Sequence, residues 1–206
     1  VARKKDQRER RGDLIAATRR RIVDQGLAPV RIRHIAAEAG LSPGLVSYYF
    51  PDLDDLFRAV YRDAIDRFST ERREMVEHMS DPRQRLTALI RSGLPTGPED
   101  ETCILLYEFH PQVVRNPAVT AQRALLFERQ VGLYVSVLEA GATMGVFRLQ
   151  GSARSVASNL VALEDAYGHH VVADISVTRE QAESYLIDFA STATDCDLRD
   201  PGAGAG

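Results

Sequence analysis

The chain has 206 residues, with 26 Lys and Arg, 29 Asp and Glu, and a formal net charge of −3. Its 27% charged and 44% hydrophobic residues make a globular balance, which excludes a disordered chain. No run approaches ~18 consecutive apolar residues, so no membrane span is expected.

The charge is unevenly placed. Residues 1–50 carry 11 Lys and Arg against 5 Asp and Glu, and residues 51–206 carry 15 against 24. A basic head on an acidic body predicts that the head meets a polyanion. The apolar pattern is helical almost throughout, without sustained period-2 alternation, so the expected fold class is all-α. The first helix is expected over about Arg11–Gln25, with Leu14, Ile15, Thr18 and Ile22 on one face and Gly26 closing it. A basic arm, residues 1–10, precedes it. The second helix holds Ile32, Ile35, Ala36 and Ala39 and stops at Gly40. The third opens with Ser42 as N-cap and Pro43 in the first turn, runs through Tyr49, and is broken by Pro51.

Asp52 caps a long helix from Leu53 towards His78, with Leu56, Val60, Ala64 and Phe68 repeating at i+4. Asp81-Pro82 opens a helix ending near Gly93, and Glu101–Val114 is helical with a kink or stop at Pro111. Asn116-Pro117 opens another, to about Gly141. The last two run over about Ala153–Ala173 and Arg179–Thr194, the final one with a capping box of Thr178 and Gln181. This makes about nine helices. The expected division is a head at 1–50, a helical body at 51–198, and a disordered Gly/Ala tail at 199–206.

The informative stretch is Ile32 to Phe50. Two short helices crossing at about 90–120° nearly touch, so the crossing needs a small residue, here Ala36. The turn needs a positive φ, which Gly40 supplies, and Ile35, Leu41 and Val46 fill the core between the helices. Ser42 satisfies amides at the start of the third helix, the end that a helix-turn-helix presents to bases and phosphates.

The residues Ile35-Ala36-x-x-Ala39-Gly40-Leu41-Ser42-x-Gly44, followed by Tyr48-Tyr49-Phe50, resemble the DNA-binding domain of the TetR family of bacterial transcriptional regulators. Leu138-Glu139-Ala140-Gly141-x-x-x-Gly145 and Leu163-Glu164-Asp165-Ala166 look like one common subgroup of C-terminal domains. The resemblance implies a helix-turn-helix, a long fourth helix and an all-helical ligand-binding half. It implies a homodimer formed through the last two helices, which represses transcription until a small molecule binds. Pro43, Gly44, Leu45, Ser47 and Tyr48 would then face the major groove of double-stranded DNA, with Ser42 capping the helix that carries them. Tyr49, Arg31, Arg33 and His34 would contact phosphate. A solvated helix face is the other reading for each, and core packing for the two tyrosines. Three positions depart from the family pattern: Arg31, Ser47 and Leu53. Leu53 stands among Asp52, Asp54 and Asp55, which repel phosphate. Weak contacts at the fourth helix are therefore expected, with Arg3, Lys4, Lys5, Arg8, Arg10 and Arg11 supplying the missing charge.

Other chemistry finds little support. Gly40-Leu41-Ser42-Pro43-Gly44 spells the G-x-S-x-G of a hydrolase, but a helix and not a strand precedes it. None of the five histidines has a glutamate three residues before it, and Asp165 with His169 supplies only two ligands, so no metal and no cofactor are expected. The two cysteines, Cys103 and Cys196, lie far apart and outside any C-x-x-C. With no apolar signal core at the N-terminus, they fit a reducing cytoplasm.

Effector candidates lie in the middle helices: Tyr107, Glu108, His110, Gln112, Arg123, Phe127 and Tyr134, with Glu164 and Tyr167 from the penultimate helix. The aromatic ones serve equally as core. Glu108 and Glu164, if buried, favour a cationic ligand, and otherwise sit on the surface. Val156, Leu160 and Leu163, with Ala182, Leu186, Phe189 and Ala190, form two apolar faces that suit a two-fold dimer or the chain's own core. The expected function is that of a homodimeric DNA-binding regulator, a repressor released from a palindromic operator by a small-molecule effector, and not an enzyme. The alternatives are a helical small-molecule-binding protein or enzyme with an incidental helix-turn-helix, and a constitutive DNA-binding protein.

Overall fold

The computed structural model describes residues 2–199, with side chains from residue 7 onward. All regular structure among them is helical, in ten segments. These are α1 (Ala2–Gln25), α2 (Ile32–Ala39), α3 (Pro43–Tyr49), α4 (Leu53–Glu77), α5 (Pro82–Gly93), α6 (Glu101–Glu108), α7 (His110–Val113), α8 (Pro117–Thr143), α9 (Ala153–Val172) and α10 (Arg179–Thr194). The tail expected from residue 199 lies, beyond Arg199, outside the described residues.

Two boundaries differ from expectation. α1 begins at Ala2, not near Arg11, because residues 2–11 hold only good or tolerant helix formers and Gly12 alone weakens the run. The segment expected over Glu101–Val114 divides into α6 and α7 at Phe109. Pro111 lacks the N–H that a continuous helix would give to the carbonyl of Tyr107.

The chain forms two compact units. The first holds the described residues up to Arg67 together with Ile104–Arg123; the second holds Phe68–Cys103 and the described residues from Ala124. The units divide within α4 and not at Pro51. Phe109 shows why: its ring stacks on Tyr61 at 4.5 Å and meets Phe57 edge-on at 6.5 Å, tying the first half of α4 to the α6–α7 junction. In the first unit Leu14, Thr18 and Ile22 of α1 are fully buried, on the face expected for them, with Ile35, Ala36, Val46 and Phe50. Glu38 of α2 pairs with Arg20 at 2.9 Å and Arg21 at 3.4 Å across the α1–α2 contact. The core of the second unit is built from Leu86, Leu89 and Ile90 of α5, Val131, Tyr134, Val137 and Leu138 of α8, and the inner faces of α9 and α10.

Candidate functional site

In the first unit the helix-turn-helix forms as its residues dictate. Gly40 takes φ 65°, and its neighbour Leu41 donates its N–H to the carbonyl of Ala36 at 2.8 Å, closing the turn. Ser42 Oγ accepts the N–H of Leu45 at 3.3 Å, so the serine of the G-x-S-x-G pattern is an N-cap. Val46 and Phe50, both 1% exposed, anchor α3. The opposite side stands in solvent: Ser42, Pro43, Gly44, Leu45, Ser47 and Tyr48 are all exposed, Tyr48 at 65%. Tyr49 is half-buried, its ring meeting that of Tyr48 edge-on at 5.2 Å.

The basic side chains are partly committed. Arg31 makes no capping bond to α2. Its Nη1 donates to the carbonyls of Ala28 and Val30 at 2.7 and 2.8 Å and closes the preceding loop. Arg33 Nε donates to His34 Nε2 at 3.2 Å. Arg11, expected to act through its charge, donates from Nη1 to the carbonyl of Tyr49, the last residue of α3, and its guanidinium lies 4.1 Å over the Phe50 ring. Asp52 caps α4 through the N–H of Asp55 at 2.7 Å, and Asp55 pairs with Arg58. The side chains of Arg3, Lys4 and Lys5 lie outside the described residues.

The expected effector residues fall in both units. In the first, Tyr107, Glu108, His110, Gln112 and Arg123 are all half-buried. Glu108 has a structural partner: its Oε2 accepts the N–H of Leu27 at 2.8 Å, in the turn where Gly26 takes φ 76°. In the second unit Phe127 and Tyr167 pack partly buried against the core, with Tyr167 5.5 Å from the ring of Tyr185. Tyr134 and Glu164 do meet, at 0% and 4% exposure.

What joins them is Arg72, 2% exposed and not foreseen. Its Nη2 donates to Glu164 Oε1 at 2.8 Å and its Nη1 to Oε2 at 3.2 Å, a two-point grip. Nη1 also donates to Gln130 Oε1 at 2.6 Å, Nη2 to the carbonyl of Leu89 at 2.8 Å, and Nε to Ser92 Oγ at 3.2 Å. Tyr134 donates its hydroxyl to Glu164. Burial pulls the guanidinium down, yet the Glu164 charge and the Tyr134 oxygen outweigh it and hold Arg72 above its ordinary value. Burial raises the Glu164 carboxyl, with Arg72 and the Tyr134 hydroxyl opposing, and it raises Tyr134 well above the usual phenol range, with Glu164 adding to the effect. Gly93 makes the seat: a Cβ there would stand 1.8 Å from Glu164 Oε1.

Beside this cluster the second unit has a cleft of about 380 Å³. Phe68, Met75, Leu94 and Cys103 give it apolar walls, and Glu71, Asp100, Arg91 and Arg179 its charge. None of the nine expected effector residues lines it. Cys103 is no nucleophile, because burial and the neighbouring Asp100 push its thiol well up. Asp100 caps α6, accepting from the N–H of Cys103 at 3.0 Å and from Thr96 N and Oγ1 at 2.9 and 3.0 Å. Burial alone would raise its carboxyl, but these hydrogen bonds outweigh it and hold it below the usual value. The stabilisation from Asp100 is therefore complete above an unfolded pKa of ~3.9 and is lost as pH falls through the lower folded value. Asp100→Ala is expected to cost about 0.5–2 kcal/mol at neutral pH. Denaturant titrations should show that deficit shrinking below about pH 4.

The expected dimer residues need correction. Val156, Leu160, Ala182, Leu186 and Ala190 are 0–4% exposed within this chain's own core, so they offer no surface to a second copy. The outward faces carry Asn159, Ala162 and Ala166 of α9 and Tyr185 of α10, with Leu163, Tyr167 and Phe189 half-buried beside them. His169 Nδ1 is bonded to the backbone oxygen of Asp165 at 2.7 Å, inside its own helix. No helix among the described residues is long and apolar enough to cross a membrane.

A helix-turn-helix whose second helix is exposed is a DNA-binding motif. Residues 14–60 match the family model for bacterial regulatory proteins of the tetR family, and residues 82–194 match that for the C-terminal region of BetI-type transcriptional repressors. The chain belongs to the TetR family, a family of transcriptional regulators and not of enzymes. It is 40% identical over 85 residues to the HTH-type transcriptional regulator BetI of Burkholderia cenocepacia, covering 41% of this chain and 44% of that one. It is 31% identical over 122 residues to BetI of Paraburkholderia xenovorans, covering 55% and 63%. The chain thus spans less than two thirds of the length of these relatives. Among solved structures, a Saccharomonospora viridis protein in complex with choline superposes with a TM-score of 0.82 at 24% identity, covering 90% of this chain and 97% of that one. A TetR transcription regulator from Haloarcula marismortui superposes with a TM-score of 0.81 at 24% identity, covering 90% and 98%. These two share the fold.

Proposed function

We propose that this chain is a DNA-binding transcriptional repressor that acts as a homodimer on a palindromic operator and is released by a small molecule. The observation that carries the reading is the exposed face of α3. Pro43, Gly44, Leu45, Ser47 and Tyr48 stand out together on a helix anchored from behind by Val46 and Phe50. That is the arrangement by which a recognition helix enters the major groove. Residues 1–50 serve as the DNA-binding head, with 1–10 as its basic extension, and residues 51–198 carry the effector and dimer functions. The exposed residues Ala162, Ala166 and Tyr185 supply the dimer face, with Leu163 and Phe189 half-buried at its base where they pack against the chain's own core. The effector site is the cleft beside Phe68, Met75 and Cys103. The choline held by the S. viridis protein makes quaternary ammonium the first effector class to consider for this chain.

The test is binding of the purified protein to its own upstream DNA across a salt series, against scrambled competitor. One dimer per palindrome, with specific affinity at least about 1,000-fold above scrambled DNA, supports the reading. Equal affinity for both sequences overturns it. Ala162→Glu is expected to leave the monomer folded, shift sedimentation from dimer to monomer, and weaken operator binding by about 100-fold through loss of the linked second head.

A further inference from the structure

We propose that Arg72 is the built-in occupant of a cation cage in the second unit, so that this regulator does not answer to quaternary ammonium or guanidinium effectors. The inference narrows the effector part of the preceding reading, setting aside the class that the choline of the S. viridis protein brings forward, and rests on that reading only there.

The box around the Arg72 guanidinium has the composition that recognises organic cations. The Phe68 ring centroid lies 5.2 Å from Cζ and the Tyr134 centroid 5.5 Å, both inside the ~6 Å range of cation–π attraction. Glu164 closes the box with a carboxylate 4% exposed. A buried carboxylate between aromatic rings is expensive unless a cation sits there. Here the cation is the chain's own.

The occupancy is complete. All three guanidinium nitrogens donate, to Glu164, Gln130, Leu89 and Ser92. Both Glu164 oxygens accept from Arg72, and one also takes the Tyr134 hydroxyl. Space is used up as well, since Glu164 fits only because Gly93 has no side chain. Stability alone does not explain the arrangement, because well-packed apolar residues in place of a buried ion pair are often as stable or more so. Phe68 and Ser92 also line the neighbouring cleft, so a ligand there meets the outer walls of a box that is already full and neutral. Inside the box a second cation has no counter-charge left to claim, and in the cleft the two carboxylates, Glu71 and Asp100, are equalled in number by Arg91 and Arg179.

The test uses tetramethylammonium and ethylguanidinium as probes in thermal unfolding of the full chain. Wild-type protein is expected to show no rise in midpoint up to about 10 mM of either. Arg72→Ala empties the box and is expected to unfold at a lower temperature. Either cation should then raise its midpoint by at least about 3 °C, and should do nothing for the double variant R72A/E164Q. If R72A is unfolded alone, recovery of helical circular dichroism on adding either cation is the expected result. Saturable stabilisation of the wild type by either probe overturns the proposal, and that arm needs no variant to fold. Failure of R72A to respond to both cations, or an equal response in the double variant, overturns it too. Operator binding is measured in parallel on the wild type. Its absence would remove the regulator reading and leave the cation titrations standing.

Discussion

Gly93→Ala is expected to destabilise the protein by about 2–4 kcal/mol, although glycine to alanine inside a helix ordinarily gains about 1 kcal/mol. Gly93 ends α5, and a methyl group there would stand 1.8 Å from Glu164 Oε1 and 2.1 Å from its carboxyl carbon. A flexible side chain would usually step aside. Glu164 cannot do so without abandoning Arg72 and Tyr134, and a guanidinium 2% exposed would then be left without its counter-ion. The helix-propensity gain is smaller than the penalty for an unpaired buried charge, so the net sign reverses. For a chain of this size the midpoint should fall by about 5–15 °C. Gly132, exposed within α8 with nothing inside 4 Å of its added Cβ, is the control. Gly132→Ala should be neutral or stabilising by up to about 1 kcal/mol. Equal behaviour of the two variants in denaturant unfolding would show that the Glu164 seat has slack.

Gly44→Glu is expected to lower operator affinity by at least about 100-fold while leaving the unfolding midpoint within experimental scatter. Gly44 lies in the first turn of α3, exposed, with no atom within 4 Å of the Cβ it lacks. The folded chain therefore has room for a side chain, and an exposed change of this kind stays within about 0.5 kcal/mol. The DNA complex does not: the added carboxylate meets phosphate or a base edge where the backbone must come close. Fluorescence anisotropy on operator and scrambled duplexes separates the two effects. Unchanged operator affinity would mean that this end of α3 does not approach DNA.

The helix-turn-helix was legible because its logic is local. Ala36, Gly40, Ser42 and Pro43 each answer a requirement set within a few residues, and the structure meets each one, down to φ 65° at Gly40 and the N-cap bond at Ser42. The capping box at Thr178 and Gln181 was legible for the same reason. The body was not. Glu164 was recognisable as a carboxylate of interest, but its partner lies 92 positions away in a run of Glu71, Arg72, Arg73 and Glu74 that reads as a solvated face. A signal was available: the i+4 stripe of Leu56, Val60, Ala64 and Phe68 reaches Arg72 at the next step and Val76, 1% exposed, at the one after. An arginine in register with a core stripe calls for a buried acid.

The apolar faces of α9 and α10 allowed two readings, a dimer or the chain's own core, and five of the seven residues named for them lie in the core. Leu160, Leu186 and Ala190 are the apolar choice on their helices, and the chain uses them for itself. What α9 and α10 turn outward is a mixture of Asn159, Ala162, Ala166 and Tyr185, which no hydrophobic pattern singles out. Arg11 is a third case. Its place beside a basic arm suggested phosphate, whereas a contact across 38 residues, to the carbonyl of Tyr49, sets its position.

The hydrogen bond from Leu27 to Glu108 has an energetic scale of its own. Leu27 is 6% exposed, so its N–H has little access to water if the carboxylate withdraws. Leaving such a donor unmet costs about 1–3 kcal/mol. A slide of α6 by one residue's rise, about 1.5 Å, is enough to break it. That energy equals a change of about 5- to 150-fold in a linked equilibrium, the whole range over which one ligand ordinarily tunes the affinity of another. A single peptide N–H between α1 and α2 thus ties Ile104–Arg123 to the helix-turn-helix within the first unit with an energy on the scale of one ligand's effect.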